Sequence, residues 1–208
     1  GRIYIMNLDH CNSHSSFKDK VSMSNLCQEI TLPTTPIQDI HDDQGEIALC
    51  ILSAVNVGGL NDLGELESIC DLAVRALEQI IDYQDYPVKA AEVSTKRRRS
   101  LGIGYIGLAH YLAKHGAKYS DPKAWDLVDR LSEAFQYHLL RASCNIAMEK
   151  GKCEGFDRTK YADGLLPIDH YKKDVDKIVP HKQRMAWESL RKDIAKHGLR
   201  HSTLSAQM

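Results

Sequence analysis

One long run of helical periodicity constrains the fold of this chain more than any other feature. Apolar side chains recur at helical spacing between Pro122 and Gly151, at positions 125, 128, 131, 135, 139 and 142. Ser120 or Asp121 can cap this segment, and Pro122 suits its first turn. Gly151 can end it. The pattern predicts a single helix of roughly 30 residues, about 45 Å long.

Three further segments have the same helical spacing: residues 62–83, 105–115 and 182–196. Asp62 and Glu65 give the first of them a start that resembles a capping box. Gly116 and Gly198 are well placed to end the other two. The polar stretch that begins with residues 82–87 predicts a loop.

Short β-branched or apolar segments bounded by Asn, Gly or Pro predict strands at residues 2–7, 27–32, 51–57 and 199–206. Strands mixed with helices in this order imply an α/β layer architecture. No internal repeat and no convincing linker divides the sequence. We therefore expect residues 1–208 to belong to one domain, with no internal boundary.

Composition is that of an ordinary globular protein, with 43% hydrophobic and 26% charged residues. A net charge of −1 gives no electrostatic reason to expect binding to nucleic acid or to an anionic membrane. No apolar run approaches the roughly eighteen residues of a membrane helix, and no signal peptide opens the sequence. The 6 cysteines form no tight disulfide framework, which suits a reducing compartment such as the cytoplasm.

Three polar residues at alternate positions, Asn25, Cys27 and Glu29, are the clearest sign of chemistry. In an extended backbone, residues i, i+2 and i+4 point to one face. An amide, a redox-capable thiol and a proton acceptor would then line one side, within reach of a single small ligand. The competing interpretation is a cysteine that merely packs in an apolar strand, because short alternations are common.

Two other motifs suggest ligand sites but are better explained by structure. Gly102, Gly104 and Gly107 match G-x-G-x-x-G, yet the basic run at residues 96–99 precedes them where a dinucleotide fold needs a buried strand. We expect close backbone packing at the glycines and solvation of the basic run. The His- and Cys-containing run at residues 9–14 lacks the second pair of ligands of a zinc site, so no metal site is predicted.

A series of short segments lies in order along nearly the whole chain: GRIYIMNLDHCN (1–12), SNLCQEI (24–30), GEIALC (45–50), AVRAL (73–77), DYQDYP (82–87), RSLGIG (99–104), YLAK (111–114), LLPID (165–169), HGLR (197–200) and STLSA (202–206). This ordered series resembles the large catalytic subunit of class I ribonucleotide reductase, most closely the bacterial and bacteriophage type. The resemblance implies an internal or split fragment of the catalytic domain, a ten-stranded α/β barrel with a central cysteine-bearing loop.

The same resemblance implies roles for the run from residue 25 to residue 29. Cys27 matches the cysteine that becomes a thiyl radical and removes hydrogen from the ribose 3′ carbon of a ribonucleoside diphosphate. Glu29 matches the carboxylate that accepts the 3′-hydroxyl proton. Asn25 matches the amide that binds substrate and helps to hold the carboxylate. Leu26 and Gln28 complete the substrate-binding run.

Cys50 ends an apolar run, and its pattern alone would make it a buried core thiol. The resemblance instead matches Cys50 to one member of the redox pair that reduces the 2′ position, with its partner outside this chain. Two thiols supply two electrons, and thioredoxin or glutaredoxin would reduce the resulting disulfide by exchange. By contrast, Cys70 and Cys144 fall within predicted helices and are expected to be inert apolar side chains.

The resemblance also implies what acts together with this chain. A separate metal-containing small subunit would supply the radical, and the large subunit would form a homodimer. The effectors ATP, dATP, dTTP and dGTP would bind the missing N-terminal part, so no cofactor is expected in these residues. The diphosphate-binding loop is expected just beyond residue 208. The setting would be the cytoplasm of a bacterial cell or a phage-infected host.

Two alternatives stay open at this point. One is a glycyl-radical enzyme with a similar barrel, although a run that supplies both a base and a reductant favours the class I assignment. The other is a noncatalytic fragment or split-gene half that acts only when assembled with its complement. Under either fragment interpretation, we expect the chain by itself to be inactive.

Overall fold

Two parallel strands lie at the centre of the fold, β1 (Ile51–Asn56) and β2 (Leu101–Ile106), with Ile51 opposite Leu101. The computed structural model describes residues 3–25, 27–179 and 182–205. Its α-helices are α1 (Leu8–His14), α2 (Leu66–Tyr83), α3 (Lys89–Arg98), α4 (Leu108–Lys114), α5 (Pro122–Lys150), α6 (Pro167–His170) and α7 (Trp187–His197). Short 3₁₀ turns at residues 57–59, 63–65, 154–158, 160–163 and 173–177 join several of them.

The crossover that a parallel pair requires is formed by α2 and α3. Helix α2 turns one apolar stripe inward, and its buried members are Leu66, Cys70, Val74, Leu77 and Ile81. This stripe packs against β1 and against α5. Fully burying each large aliphatic side chain stabilises the fold by roughly 1.5–3 kcal/mol. The main core therefore lies where the strand pair, α2 and α5 meet.

The strongest sequence patterns are confirmed. The long helix begins at Pro122 and ends before Gly151, whose φ of 85° allows it to terminate the helix. Helix α2 ends at Tyr83 as predicted but begins at Leu66, after a 3₁₀ turn at residues 63–65 that Asp62 caps by accepting a hydrogen bond from the Gly64 amide at 2.6 Å. Strand β1 matches the 51–57 prediction, and α7 falls within the last predicted helix but begins later, at Trp187.

Three predicted strands are wrong. Residues 3–7 pair with no strand in the described part of the chain, and the Asn7 side chain instead caps α1 by accepting from the His10 amide at 3.2 Å. Residues 27–32 form a turn and an irregular segment. Residues 199–205 add one isolated bridge, between Ile103 and Ser205. Arg2 and Ala206, the outer ends of two of these predictions, lie outside the described residues.

The α/β class is confirmed, because the structure mixes helix and strand. The described residues contain two strands in one sheet, so a ten-stranded barrel is not visible within them. The predicted loop behind residues 82–87 is wrong as well, since α3 occupies residues 89–98.

The glycine motif lies at a strand-to-helix junction. Gly102 and Gly104 are buried inside β2, so the predicted helix over residues 105–115 begins only at Leu108. Gly107, with a φ of 80°, turns the chain between them. A Cβ atom on Gly107 would collide with the Asn56 side chain and would lie 3.1 Å from the Gly58 nitrogen. Close backbone packing therefore explains this glycine, as predicted.

The basic run at residues 96–99 is not solvated as a whole, contrary to prediction. Lys96 is exposed, but Arg98 and Arg99 are only 2% and 4% exposed. Both guanidinium groups form ion pairs with carboxylates that are distant in sequence. These ion pairs and hydrogen bonds compensate for the cost of removing the two charges from water, which is why both arginines can be buried.

Glu78 is the centre of one of these buried charge clusters. Its carboxylate accepts hydrogen bonds from Arg99 Nε at 2.8 Å, Arg200 Nε at 2.9 Å and His201 Nε2 at 3.0 Å. Burial alone would raise the pKa of Glu78, but hydrogen bonds from His201, Arg99 and Arg200 hold this pKa at about 2. Burial lowers the pKa of His201 despite the attraction of Glu78.

A neutral His201 fits its surroundings. Its Nε2–H donates to Glu78, and its Nδ1 lies 2.9 Å from Ser143 Oγ, whose hydroxyl proton it can accept. The backbone amide of His201 also donates to Ser143 Oγ, at 3.1 Å. This arrangement ties the segment after α7 to both α2 and α5.

We predict that His201 makes stability depend on pH in mildly acidic solution. Unfolded histidine binds a proton near pH 6.5, whereas folded His201, with its lowered pKa, resists protonation. Its contribution is therefore complete above pH 6.5 and declines as the pH falls below that value. Urea unfolding at pH 7.5 and at pH 5.5 measures how much the free energy of unfolding falls between the two pH values. This fall should be about 1 kcal/mol smaller in His201→Gln than in the wild type.

The exposed His41 provides the matched control for this measurement. His41→Gln should leave the pH dependence at its wild-type value. An equal loss of stability in the wild type and in His201→Gln would contradict the prediction.

Candidate functional site

Asn25 and residues 27–30 belong to a tight turn in place of the predicted strand. The Gln28 amide donates to the Asn25 carbonyl at 3.2 Å, and the Asn25 amide donates to the Ile30 carbonyl at 3.4 Å. Gln28 adopts a φ of 59°, in the left-handed region. This one residue breaks the alternation of side chains and reverses the direction of the chain.

The turn joins the predicted amide and carboxylate directly. Asn25 Nδ2 donates a hydrogen bond to Glu29 Oε1, while Asn25 Oδ1 accepts from the Ile30 amide at 3.3 Å. Cys27 and Gln28 lie exposed at the tip of the turn. Leu26, the remaining residue of the predicted substrate-binding run, lies outside the described residues. The structure thus brings Asn25 and Glu29 into direct contact, by a backbone geometry that differs from the predicted strand.

Glu29 leaves one acceptor open. Its Oε2 atom is buried and has no hydrogen-bond partner within the described part of the chain. Buried polar atoms are nearly always satisfied, so such an atom calls for an explanation. A ligand hydroxyl that donates to Oε2 would satisfy it.

Cys50 lies close to this turn. It packs, together with Ala48, against a small apolar cluster formed by Phe17, Val21, Ile30 and Leu32. Burial and, as the smaller cause, the negative charge of Glu29 together raise the pKa of the Cys50 thiol to about 12. Cys50 therefore remains a protonated thiol at neutral pH, in the electrostatic field of the same carboxylate that Asn25 holds.

A second contact between backbone segments explains why Ile30 and Cys50 meet. The chain runs from the turn to Thr35, makes an excursion, and returns at Glu46, where Thr35 and Glu46 form an antiparallel bridge. Cys50 follows shortly after the bridge and directly precedes β1. The Ile51 amide then donates to the Ser100 carbonyl at 3.2 Å, which joins this segment to the start of β2.

The other cysteines have different surroundings. Cys70, Cys144 and Cys153 are buried in the main core, as expected for the first two, and burial raises their pKa values to about 12, 11 and 12. Cys11 lies on α1 and is half-buried. None of these four packs in the small cluster that contains Cys50.

Two cavities lie elsewhere. An apolar groove of about 490 Å³ lies between α5 and residues 167–179, and Trp125 and Trp187 contribute to its walls. A second cavity, of about 230 Å³, is lined by Ile30 and Thr31 but by no other residue of the turn. The candidate site residues line neither cavity, so geometry and unsatisfied polar atoms, rather than cavity size, define the site.

Among the described residues, no group of three or more His, Cys, Asp or Glu side chains is placed to hold a metal ion. In the same part of the chain, no helix has the length and apolar character that crossing a membrane requires.

Sequence reasoning missed the groups that support the site. The left-handed conformation of Gln28 has no sequence signal, because Gly and Asn are the residues that usually mark it. Glu46 and Arg98 form a buried ion pair beside the small cluster, with Arg98 Nη2 2.6 Å from Glu46 Oε2. An isolated Glu after Gly45 gave no indication of this pairing.

Comparison with known proteins identifies relatives over the whole chain. The family described as "Ribonucleotide reductase, barrel domain" matches residues 1–208. The ribonucleoside-diphosphate reductase subunit alpha of Haemophilus influenzae is 58% identical over 211 residues, covering 100% of this chain and 28% of that protein. Subunit alpha of ribonucleoside-diphosphate reductase 1 of Escherichia coli K12 is 55% identical with the same coverage. The subunit alpha of Enterobacteria phage T4 is 41% identical, with 27% of its length covered. The chain therefore spans little more than a quarter of these relatives.

We predict that Glu29 controls the reactivity of Cys50. Glu29→Gln removes the negative charge that contributes to the raised pKa of Cys50, so this pKa should fall. Alkylation of Cys50 near pH 9 should accelerate, by up to ~10-fold for a fall of one pKa unit. Mass spectrometry of iodoacetamide-treated protein measures the rate.

Cys70 serves as the internal control in the same sample, because burial alone raises its pKa. An equal acceleration at both cysteines would indicate general loosening of the fold. An unchanged rate at Cys50 would show that Glu29 does not act on this thiol.

Proposed function

Since this chain belongs to the ribonucleotide reductase barrel-domain family, we propose that it is part of the catalytic subunit that reduces ribonucleoside diphosphates to 2′-deoxyribonucleoside diphosphates for DNA synthesis. One observation carries the proposal beyond similarity. Asn25 holds a carboxylate that retains an open buried oxygen, and the protonated thiol of Cys50 lies within its electrostatic reach. The residues proposed as base and reductant thus lie close to one turn.

In the proposed reaction, Cys27 acts first. As a thiyl radical, it removes the hydrogen atom from the ribose 3′ carbon. Glu29 Oε2, the acceptor without a partner, takes the proton of the 3′ hydroxyl as a general base. Asn25 orients the carboxylate through its hydrogen bond to Oε1 and contributes to binding substrate together with Leu26 and Gln28.

Reduction at the 2′ carbon is assigned to Cys50 and a partner thiol outside this chain. The two thiols supply two electrons and two protons, the 2′ hydroxyl leaves as water, and the thiols become a disulfide. Glu29 then returns the proton to the 3′ oxygen, and Cys27 returns a hydrogen atom to the 3′ carbon and regains its radical. A thiol with a strongly raised pKa suits this role before turnover, since it enters the reaction carrying its proton.

We propose that the complete subunit encloses these residues in a ten-stranded barrel, with the Cys27 turn at its centre. The parallel pairing of β1 and β2 is compatible with two neighbouring strands of such a barrel. Leu52 on β1 is 43% exposed here and would be covered by further strands. Enclosure would also shield the exposed Cys27 from water and stray hydrogen donors.

The partners of the complete enzyme belong to the same proposal. A metal-containing small subunit supplies the radical when it is bound. Thioredoxin or glutaredoxin reduces the disulfide, and the large subunit forms a homodimer that ATP, dATP, dTTP and dGTP regulate through its N-terminal part. The proposed setting is the cytoplasm of a bacterial cell or phage-infected host, where nucleoside diphosphates are available.

Neither alternative considered for the sequence is favoured. The relatives described above are named as alpha subunits of ribonucleoside-diphosphate reductase, not as glycyl-radical enzymes or as separate halves. The direct test is an assay of the complete large subunit with its small subunit, a reducing system and a ribonucleoside diphosphate. Absence of deoxynucleotide product would contradict the proposed function.

We predict that substitution of Cys27 and substitution of Cys50 impair the reaction at different steps. Cys27→Ser should abolish turnover with near-normal folding and substrate binding, because a hydroxyl cannot form the radical at comparable cost. Cys50→Ser should still permit loss of the 3′ hydrogen but prevent clean reduction, so free base and inactivated enzyme should replace product. Chromatography of base and deoxynucleotide distinguishes the outcomes, and normal product from Cys27→Ser would rule out its thiyl role.

We predict that Glu29→Gln lowers kcat by ~10²–10⁴-fold, the usual size of a general acid–base contribution, with a much smaller effect on substrate affinity. The amide keeps the shape of the side chain but cannot accept the proton. Steady-state kinetics and equilibrium substrate binding give the two quantities. The exposed Glu67 on α2 supplies the control, Glu67→Gln, which should retain the wild-type rate.

A further inference from the structure

We propose that the buried pair of Glu46 and Arg98 positions Cys50 against the turn that carries Cys27 and Glu29. The inference rests on the function proposed above and assigns a positioning role to two residues outside the reacting set. Both side chains are almost completely buried, at 2% exposure for each residue. Four features of the structure support this role.

The first is the pairing itself. Glu46 Oε2 accepts hydrogen bonds from Arg98 Nε at 3.0 Å and from Arg98 Nη2 at 2.6 Å. Glu46 Oε1 accepts from Arg97 Nη1 at 2.7 Å. Charge-assisted bonds of this kind are stronger and more directional than neutral ones. The Glu46 side chain is therefore fixed in place from both of its oxygens.

The second is the position of Glu46 in the backbone. The Thr35 amide donates to the Glu46 carbonyl at 3.1 Å, and the Glu46 amide donates to the Thr35 carbonyl at 3.0 Å. Thr35 lies on the segment that leaves the turn, and Glu46 lies on the segment that leads to Cys50. The distance between the two reacting parts is thus set where these segments meet.

The third is the anchoring of the segment on either side of Cys50. The Ile47 amide donates to the Ala90 carbonyl of α3 at 3.3 Å, and the Ile51 amide donates to the Ser100 carbonyl at 3.2 Å. Glu46 stands directly before the first of these anchors and pairs with the last residue of α3, Arg98. A shift at Glu46 would therefore be transmitted to Cys50 through only a few residues of chain.

The fourth is the second partner of Arg98. Its Nη1 atom donates to Asp19 Oδ2 at 2.9 Å, and its guanidinium carbon lies 5.9 Å from the centre of the Phe17 ring. Phe17 and Val21 form the wall of the small cluster against which Ile30 packs. One guanidinium group thus connects the wall behind the turn with the segment that leads to Cys50.

This geometry predicts a specific defect. Cys27 and Glu29 act at the 3′ position, whereas Cys50 acts at the 2′ position. If Cys50 alone is displaced, the substrate radical still forms, but the transfer of two electrons and two protons from the thiol pair becomes slow. The 3′ radical then loses its 2′ hydroxyl as water, and the resulting 3′-keto intermediate, which the thiol pair fails to reduce, breaks down with release of its base. A residue with a purely structural role would lower both outcomes together.

The test uses Glu46→Gln in the complete large subunit, assayed with its small subunit and a ribonucleoside diphosphate. Free base and deoxynucleotide are measured in the same reaction. We expect the ratio of base to deoxynucleotide to rise by ~10-fold or more, within the ~10²-fold that a displacement of about 1 Å can cost. Glu92→Gln is the matched control on α3. Glu92 is partly exposed and forms its ion pairs with Lys89 and Lys96, so this substitution should leave the ratio unchanged.

A second variant covers the case in which Glu46→Gln does not fold. Arg97→Gln removes one of the hydrogen bonds to Glu46 from a partly exposed position and should raise the same ratio by a smaller factor. An unchanged ratio in the folded variants, or equal falls in base and product, would overturn the positioning role. A wild-type enzyme that makes no deoxynucleotide would instead overturn the proposed function, and the inference with it.

Discussion

Two adjacent arginines at the end of α3 connect the parts of this structure. Arg99 follows the last residue of α3 and adopts a left-handed conformation, with a φ of 48°. The guanidinium groups of Arg98 and Arg99 point to different parts of the structure. Arg98 reaches Glu46 and Asp19 on the side of the candidate site, whereas Arg99 reaches Glu78 and Asp82 on α2. Burying charges is costly, and removing one partner of a buried pair typically costs 3–5 kcal/mol. Removing either of these arginines should therefore destabilise the fold strongly, because it would leave buried carboxylates without their partners.

The candidate site depends on this connection because its own core is small. The cluster beneath the turn contains Phe17, Val21, Ile30 and Leu32, with Ala48 and Cys50 at its edge, and is separate from the main core around α2 and α5. Regions with few buried apolar contacts open most readily. Such a cluster cannot by itself hold a turn and a thiol at a fixed separation. The Arg98 ion pairs join it to α3, and through Arg99 to the Glu78 cluster.

The sequence predicted those elements whose signal is repeated many times along the chain. Helix α5 is one example, since its apolar period continues from Trp125 to Ala142 between a proline and a glycine. Prediction failed where the decisive partner is distant. The basic run looked solvated because the carboxylates that bury Arg98 and Arg99 lie at positions 19, 46, 78 and 82. Strand 27–32 failed because a left-handed Gln28 carries no local signature. The alternating pattern singled out Asn25, Cys27 and Glu29 but pointed to the wrong backbone, and their proposed roles, like that of Cys50, come from family resemblance.

That wrong backbone would also have defeated the chemistry. In a strand, side chains four residues apart share a face but are separated by ~13 Å, which is too far for a hydrogen bond. The turn brings Asn25 and Glu29 into direct contact. Because the Ile30 amide occupies Asn25 Oδ1, the NH₂ group of the same side chain must face the carboxylate. One Glu29 oxygen is thereby held and the other left open. The role of general base proposed for Glu29 requires a carboxylate that keeps its orientation while it receives a proton, and the extended segment could not have provided this division of its two oxygens.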